Sequence, residues 1–212
     1  PDLTLSLYHS AADGRLQEAE VSASPLYCVL QNGGYFYFKV ENRWQFLTEA
    51  FAPLSGLSVV AGDYRYTSLD AYFSTDQSSA VSGIVQGRTG GYFNGWLNSA
   101  DFTISLRPSP QVAFSIRYLW NELRDVGTAG SYRNTVLVAP EVRLALNPRV
   151  QLIGFYQYNT AAQQAALNVR LSWEFQPLSY IYLVVNTRES LAGNTLSQTE
   201  QIIFKATYLW QL

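Results

Sequence analysis

A single histidine, His9 in L-Y-H-S, and a single cysteine, Cys28, are all the imidazole and thiol in 212 residues. A serine hydrolase needs a nucleophile, a base such as His9 and an orienting Asn or Asp. Ser6 and Ser10 stand near the histidine, but no G-x-S-x-G is present, and His9 reads as a surface residue at the end of a strand. One His and one Cys do not make a zinc or haem site, and a lone cysteine forms no intrachain disulfide. Cys28, beside Leu26, Tyr27 and Val29, reads as a thiol packed in a strand. Asp63, Asp70 and Asp76, with Glu49 ahead of them, fit no calcium loop and read as solvated loop and strand-end charges. No metal, cofactor or catalytic residue is expected, and the chain reads as non-enzymatic.

The remaining charges follow a pattern. L-N-V-R-L-S-W-E-F sets Leu167, Val169, Leu171, Trp173 and Phe175 on one face of a strand and Asn168, Arg170, Ser172 and Glu174 on the other. The same alternation returns in D-F-T-I-S-L-R (101 to 107), V-A-F-S-I-R-Y-L-W (112 to 120), V-R-L-A-L-N (142 to 147) and F-K-A-T-Y-L-W-Q-L (204 to 212). Phe102, Ile104, Leu106, Phe114, Ile116, Leu171, Trp173, Phe175, Tyr208 and Trp210 are thus expected to face lipid. Lys39, Glu41, Arg43, Arg107, Arg117, Glu141, Arg143, Arg170, Glu174 and Lys205 are expected to face a lumen. Neighbouring strands lie about 4.8 Å apart, close enough for these charges to form a belt of ion pairs. On the lipid face an Arg near the midplane would cost about 2 to 4 kcal/mol. Such a belt reads either as a charged constriction that selects solutes or as a salt-bridged plug that keeps the inside polar.

Composition supports strands in a membrane. Aromatics reach 15% and charged residues only 14%, about half the share usual in soluble domains. Tyr and Trp in that excess suit membrane interfaces. No stretch approaches the roughly 20 continuous apolar residues of a membrane helix, so a span must be made of strands. With 14 Lys and Arg against 16 Asp and Glu, nucleic acid is not expected as a partner. The chain has no initiating Met, basic n-region or apolar h-region and reads as processed or as the C-terminal piece of something longer.

The fold class expected is all-β, an antiparallel transmembrane β-barrel of about twelve strands, with residues 1–212 as one domain. The predicted strands are 2–9, 18–30, 35–45, 63–75, 79–89, 96–107, 110–122, 134–147, 149–160, 164–176, 179–189 and 200–211. Tight turns at 31–34, 75–78, 107–110, 147–149 and 176–179 carry the Pro, Asn and Gly that turns need. They alternate with longer connections at 10–17, 46–62, 90–95, 123–133, 161–163 and 190–199. Outer-membrane barrels keep short turns in the periplasm, so both termini are expected there. The 45–62 segment is apolar for an external loop, with Phe46, Leu47, Phe51, Leu54, Leu57, Val59 and Val60. It is expected to fold into the lumen or to meet another subunit.

G-Y-F-N-G-W (91 to 96), the proline turn at 107 to 110, N-P-R-V-Q-L (147 to 152), L-S-W-E-F-Q-P-L-S-Y-I-Y-L-V-V-N (171 to 186) and K-A-T-Y-L (205 to 209) resemble one family. It is the C-terminal barrel of bacterial outer-membrane proteins that carry a periplasmic family-9-type carbohydrate-binding domain before a domain of unknown function. The resemblance implies further chain upstream, and twelve strands that either close a larger barrel or form a cylinder by themselves. The last strand ends in an aromatic-rich alternation, as such barrels do, with Leu212 where Phe is usual. Two functions are expected to compete. One is a pore or channel component for an oligosaccharide or other polar solute, gated by the 45–62 loop. The other is a non-conducting scaffold, its lumen filled by Tyr35, Tyr37, Phe155 and that loop, which anchors a carbohydrate-binding domain or protein partner. Outer-membrane lipid is a partner in both.

Overall fold

The computed structural model describes residues 1–127, 130–192 and 195–210. The described residues hold fourteen strands and no helix. The first are β1 (Asp2–His9), β2 (Leu16–Val29), β3 (Tyr35–Leu47), β4 (Phe51–Leu54), β5 (Leu57–Val59), β6 (Gly62–Ser74) and β7 (Val81–Tyr92). There follow β8 (Gly95–Ser109), β9 (Val112–Arg124), β10 (Tyr132–Asn147), β11 (Val150–Asn159), β12 (Gln164–Gln176), β13 (Ser179–Ala192) and β14 (Thr195–Thr207). Twelve of them form one sheet in chain order, β1-β2-β3-β6-β7-β8-β9-β10-β11-β12-β13-β14, and β4 pairs only with β5. The β1–β2, β2–β3, β3–β6, β4–β5, β6–β7, β10–β11, β11–β12, β12–β13 and β13–β14 ladders are all antiparallel. An uninterrupted up-and-down meander with an apolar face left open is the antiparallel transmembrane-barrel class that the alternation predicts.

The connections depart from expectation at three places. The loop expected at 90–95 is a two-residue turn, Phe93-Asn94, and β13 and β14 run to Ala192 and from Thr195 where a loop was expected at 190–199. The 46–62 loop holds the β4–β5 hairpin. The terminal Leu212 lies outside the described residues.

By contacts the chain forms two units. The first comprises Pro1–Gln77, Gly83–Phe102 and Leu119–Thr135; the second comprises Ser78–Ser82, Thr103–Tyr118 and Val136–Leu212. In both, large apolar side chains stand open on one face of the strands. Leu3 and Leu5 are 75% and 65% exposed, and Ile104, Trp173 and Trp210 are 53%, 46% and 70% exposed. An apolar face of this kind, left open by the chain itself, is what a transmembrane barrel turns outward. Trp173, Phe175, Tyr208 and Trp210 run as a chain of ring contacts, centroids 6.2 to 6.4 Å apart, suited to a membrane interface.

The buried apolar core among the described residues is small and lies at one end of the first unit. Leu57 and Val59 of the β4–β5 hairpin pack with Phe93, Leu123 and Val126, and Tyr64, Tyr66 and Leu97 close around them. Asn94 ties this end together: its Nδ2 donates to the carbonyls of Asp125 and Gly127 at 3.2 and 3.1 Å, and its Oδ1 accepts from Gly127 N at 2.9 Å. Gly127, at φ +77°, is required here because a Cβ would stand 2.3 Å from Ser58 O. Gly127→Ala should therefore loosen the hairpin by more than about 1 kcal/mol, from the left-handed conformation alone. The check is faster proteolysis within 48–61 with strand content unchanged by circular dichroism.

Candidate functional site: a charged belt under an apolar hairpin

The sequence of β3, Y-F-Y-F-K-V-E-N-R-W-Q-F-L, contains the plan of the site. Its odd positions, Tyr35, Tyr37, Lys39, Glu41, Arg43 and Gln45, share one face, and the register of the neighbouring strands extends that face sideways. Glu20 lies opposite Arg43 and Ser22 opposite Glu41 on β2. On β6, Tyr72 meets Tyr37, Asp70 meets Lys39, Ser68 meets Glu41 and Tyr66 meets Arg43. On β7, Arg88 is opposite Asp70. Three tiers result along the strands: a tyrosine stack, a charged belt and the apolar hairpin.

The tyrosine tier is built from Tyr27, Tyr35, Tyr72 and Tyr37. Tyr35 and Tyr37 each lie 5.2 Å from Tyr72, at interplanar angles of 22° and 6°. Tyr27 adds a tilted contact at 6.1 Å. In the belt, Glu41 is the hub. It is 5% exposed and receives Lys39 and Arg88 in close ion pairs, with Arg43 Nη2 at 3.8 Å. Arg43 also reaches Glu18 at 3.3 Å and Glu20 at 2.5 Å. Arg88 donates to Ser68 Oγ at 2.9 Å and lies 3.7 Å from Asp70 Oδ2. That carboxylate oxygen and Arg43 Nε are both buried without a hydrogen bond among the described groups. Four acids (Glu18, Glu20, Glu41, Asp70) stand against three bases (Lys39, Arg43, Arg88), one negative charge in excess. Above the belt, Tyr66 donates to Gln45 at 3.2 Å, and the rings of Tyr64 and Tyr66 contact Phe93 at 5.3 and 5.5 Å beneath the hairpin.

Lys39, Glu41 and Arg43 thus come together as one cluster. Asp70, expected to be a solvated strand-end charge, is instead 6% exposed in the middle of β6. The reason is parity: it shares a face with Tyr66, Ser68 and Tyr72, and Arg88 lies directly across from it. Arg88, Glu18 and Glu20 were absent from the expected set although all three alternate correctly within their strands.

The second unit holds the other expected residues. Arg107, Glu141 and Arg143 border one cleft of about 270 Å³, and Arg143 pairs with Glu141. Arg170 has Ile153 and Val184 as cross-strand neighbours. Glu174 accepts from Leu178 N at 2.9 Å and caps the β12–β13 turn. Lys205 lies opposite Tyr182. Arg117 follows Ser115 by alternation on β9. His9 is exposed at the end of β1. In the neighbouring turn, the Ser10 hydroxyl and the Arg15 N–H hold the Asp13 carboxyl below its usual range. Among the described residues no group of three or more His, Cys, Asp or Glu side chains is placed to hold a metal ion.

One polar network falls on the apolar side. Thr89 Oγ1 donates to Asn98 Oδ1 at 2.6 Å, Trp96 Nε1 donates to the same oxygen at 3.1 Å, and Asn98 Nδ2 donates to Glu122, which pairs with Arg124 at 2.7 Å. It sits near the strand ends that carry the hairpin.

No protein-family model matches the chain, and no curated protein matches it. Two solved structures do: a KdgM porin at 12% identity, and a KdgM porin in complex with disordered oligogalacturonate at 11%. Each covers 88% of this chain and 89% of the other, with a TM-score of 0.37.

Proposed function

We propose that the chain is a non-enzymatic pore component for polar solutes in the outer membrane of a bacterium, with residues 1–212 forming one barrel domain. The observation that carries this reading is the paired, largely buried charged belt on the face opposite an open apolar one. A membrane-spanning sheet must turn its apolar side to lipid, which leaves the belt lining the polar side. Rings of paired charges on a low-dielectric wall discriminate among permeants by charge and size. Over the belt the β4–β5 hairpin acts as a gate. The tight turns at 110–111, 148–149 and 177–178 face the periplasm, as do both termini. The other expected lumen-lining residues, Arg107, Arg117, Glu141, Arg143, Arg170, Glu174 and Lys205, continue the polar lining, and Phe102, Ile104, Leu106, Phe114, Ile116, Leu171, Trp173, Phe175, Tyr208 and Trp210 meet lipid. An oligosaccharide is proposed as one of those polar solutes.

The test is reconstitution of the purified chain in a planar bilayer. Stepwise conductance increments are expected, larger when residues 50–60 are replaced by a short Gly-Ser turn. A folded protein that stays silent both with and without the hairpin would instead be a scaffold.

A further inference from the structure

The second unit carries a row of side chains for which the charged belt does not account. Register sets Glu141, Phe155, Asn168, Asn186 and Gln201 opposite one another on β10, β11, β12, β13 and β14. With strands about 4.8 Å apart, three carboxamides follow one another at that interval, with an aromatic ring beside the first. The row borders a cavity of about 480 Å³, whose lining includes Phe155, the three carboxamides, Arg188 and Thr199. Asn168 Nδ2 donates to Asn186 Oδ1 at 2.5 Å, which fixes the orientation of both amides and leaves the Asn168 oxygen and the Asn186 nitrogen outside that bond.

A carboxamide both donates and accepts, whereas a guanidinium only donates and a carboxylate only accepts. A hydroxyl also does both, so a ligand bearing a repeating series of hydroxyls matches a repeating series of amides. Phe155 adds a flat apolar surface for the C–H face of a sugar ring. The three carboxamides are neutral, with Glu141 at the β10 end of the row, Arg170 two positions along β12 to one side, opposite Val184, and Arg188 two positions along β13 to the other, opposite Ala166 at the edge of the cavity.

We propose that this row is a binding subsite for a neutral oligosaccharide, with Phe155 against one ring and Asn168, Asn186 and Gln201 hydrogen-bonding the hydroxyls of successive units. The subsite deepens the pore reading and rests on it for its place in the permeation path. Its recognition chemistry is separately measurable.

The experiment is calorimetric titration of the detergent-purified full chain with maltohexaose, cellohexaose and hexagalacturonate. Saturable binding of at least one neutral hexasaccharide is expected. Asn186→Asp, which keeps the shape but removes the donors, and Phe155→Leu should each weaken it about tenfold, the worth of one good contact. Gln151→Ala, on the same face but away from the row, should leave it unchanged. Heat-modifiable migration of each variant shows that it is folded. Absence of binding by both neutral sugars, binding unaffected by the row substitutions, or binding of hexagalacturonate alone would overturn the subsite. Conductance separates the two readings: a conducting pore with no sugar binding removes the subsite alone, and row-dependent binding by a silent protein removes the pore alone.

Discussion

Glu41→Ala should destabilise the folded chain by about 3 kcal/mol, the low end of what breaking a buried ion pair costs. The size follows from the neighbours. Glu41 is 5% exposed and faces three cations at once, while Lys39, Arg43 and Arg88 keep side-chain exposures of 30%, 26% and 32%. Removing the hub leaves Arg43 and Arg88 unable to swing fully into water, because Glu18 and Glu20 hold the first and Asp70 the second. The partial exposure keeps the loss from the upper end of the range. A comparison isolates burial from charge. The Glu141–Arg143 pair has the same chemistry, but its side chains are 26% and 64% exposed, so Glu141→Ala should cost no more than about 1 kcal/mol. Urea unfolding in lipid vesicles, followed by tryptophan fluorescence, reads both. Equal losses would mean that the belt is solvated throughout and holds nothing together. Glu41→Ala also brings the belt from four acids against three bases to three against three. Any cation preference of the reconstituted protein should fall, as reversal potentials in asymmetric salt would report.

How much of this was legible in the sequence depends on whether a feature needs only parity or also needs register. Parity is local. Q-A-A-L-N-V-R-L-S-W-E-F-Q marks β12 with its observed ends, and Y-F-Y-F-K-V-E-N-R sorts Lys39, Glu41 and Arg43 to one side of β3. Asp70 was within reach by the same rule, since Tyr66, Ser68, Asp70 and Tyr72 alternate without a break; reading it as an isolated acid near a strand end ignored its neighbours. Register is not local. That Asp70 meets Lys39 and Arg88 depends on β3 pairing with β6 across the β4–β5 insertion, and nothing in the insertion announces where pairing resumes. Glycines misled in a different way. G-G-Y-F-N-G has the composition of a loop, yet only Phe93 and Asn94 turn. Gly91 and Gly95 are there for close approach: a Cβ on Gly91 would stand 2.7 Å from Tyr66 Cβ, and one on Gly95 would stand 2.4 Å from Arg124 O. A steric need and a turn leave the same letter in the sequence.

The largest functional change is expected from Val59→Asp. Val59 is fully buried among Leu57, Phe93, Leu123 and Val126, whereas Val60, the next residue, is 63% exposed. Burying Leu57 and Val59 contributes about 3 to 6 kcal/mol together, and part of that is offset by ordering the hairpin. An unpaired carboxylate in the same place costs several kcal/mol, so the two terms are comparable and the hairpin is released rather than the aspartate retained. The twelve-stranded sheet does not depend on it, because β4 and β5 pair only with each other. Val59→Asp should therefore keep its strand content and heat-modifiable migration, become cleavable between residues 48 and 61, and conduct in larger steps. Val60→Asp should behave as the parent. If the released hairpin leaves conductance unchanged, the constriction lies in the belt alone and the hairpin only seals the strand ends. If it raises conductance and also weakens the charge selectivity set by Glu41, belt and hairpin act in series on one path, the arrangement that their adjacent tiers on β3 and β6 dictate.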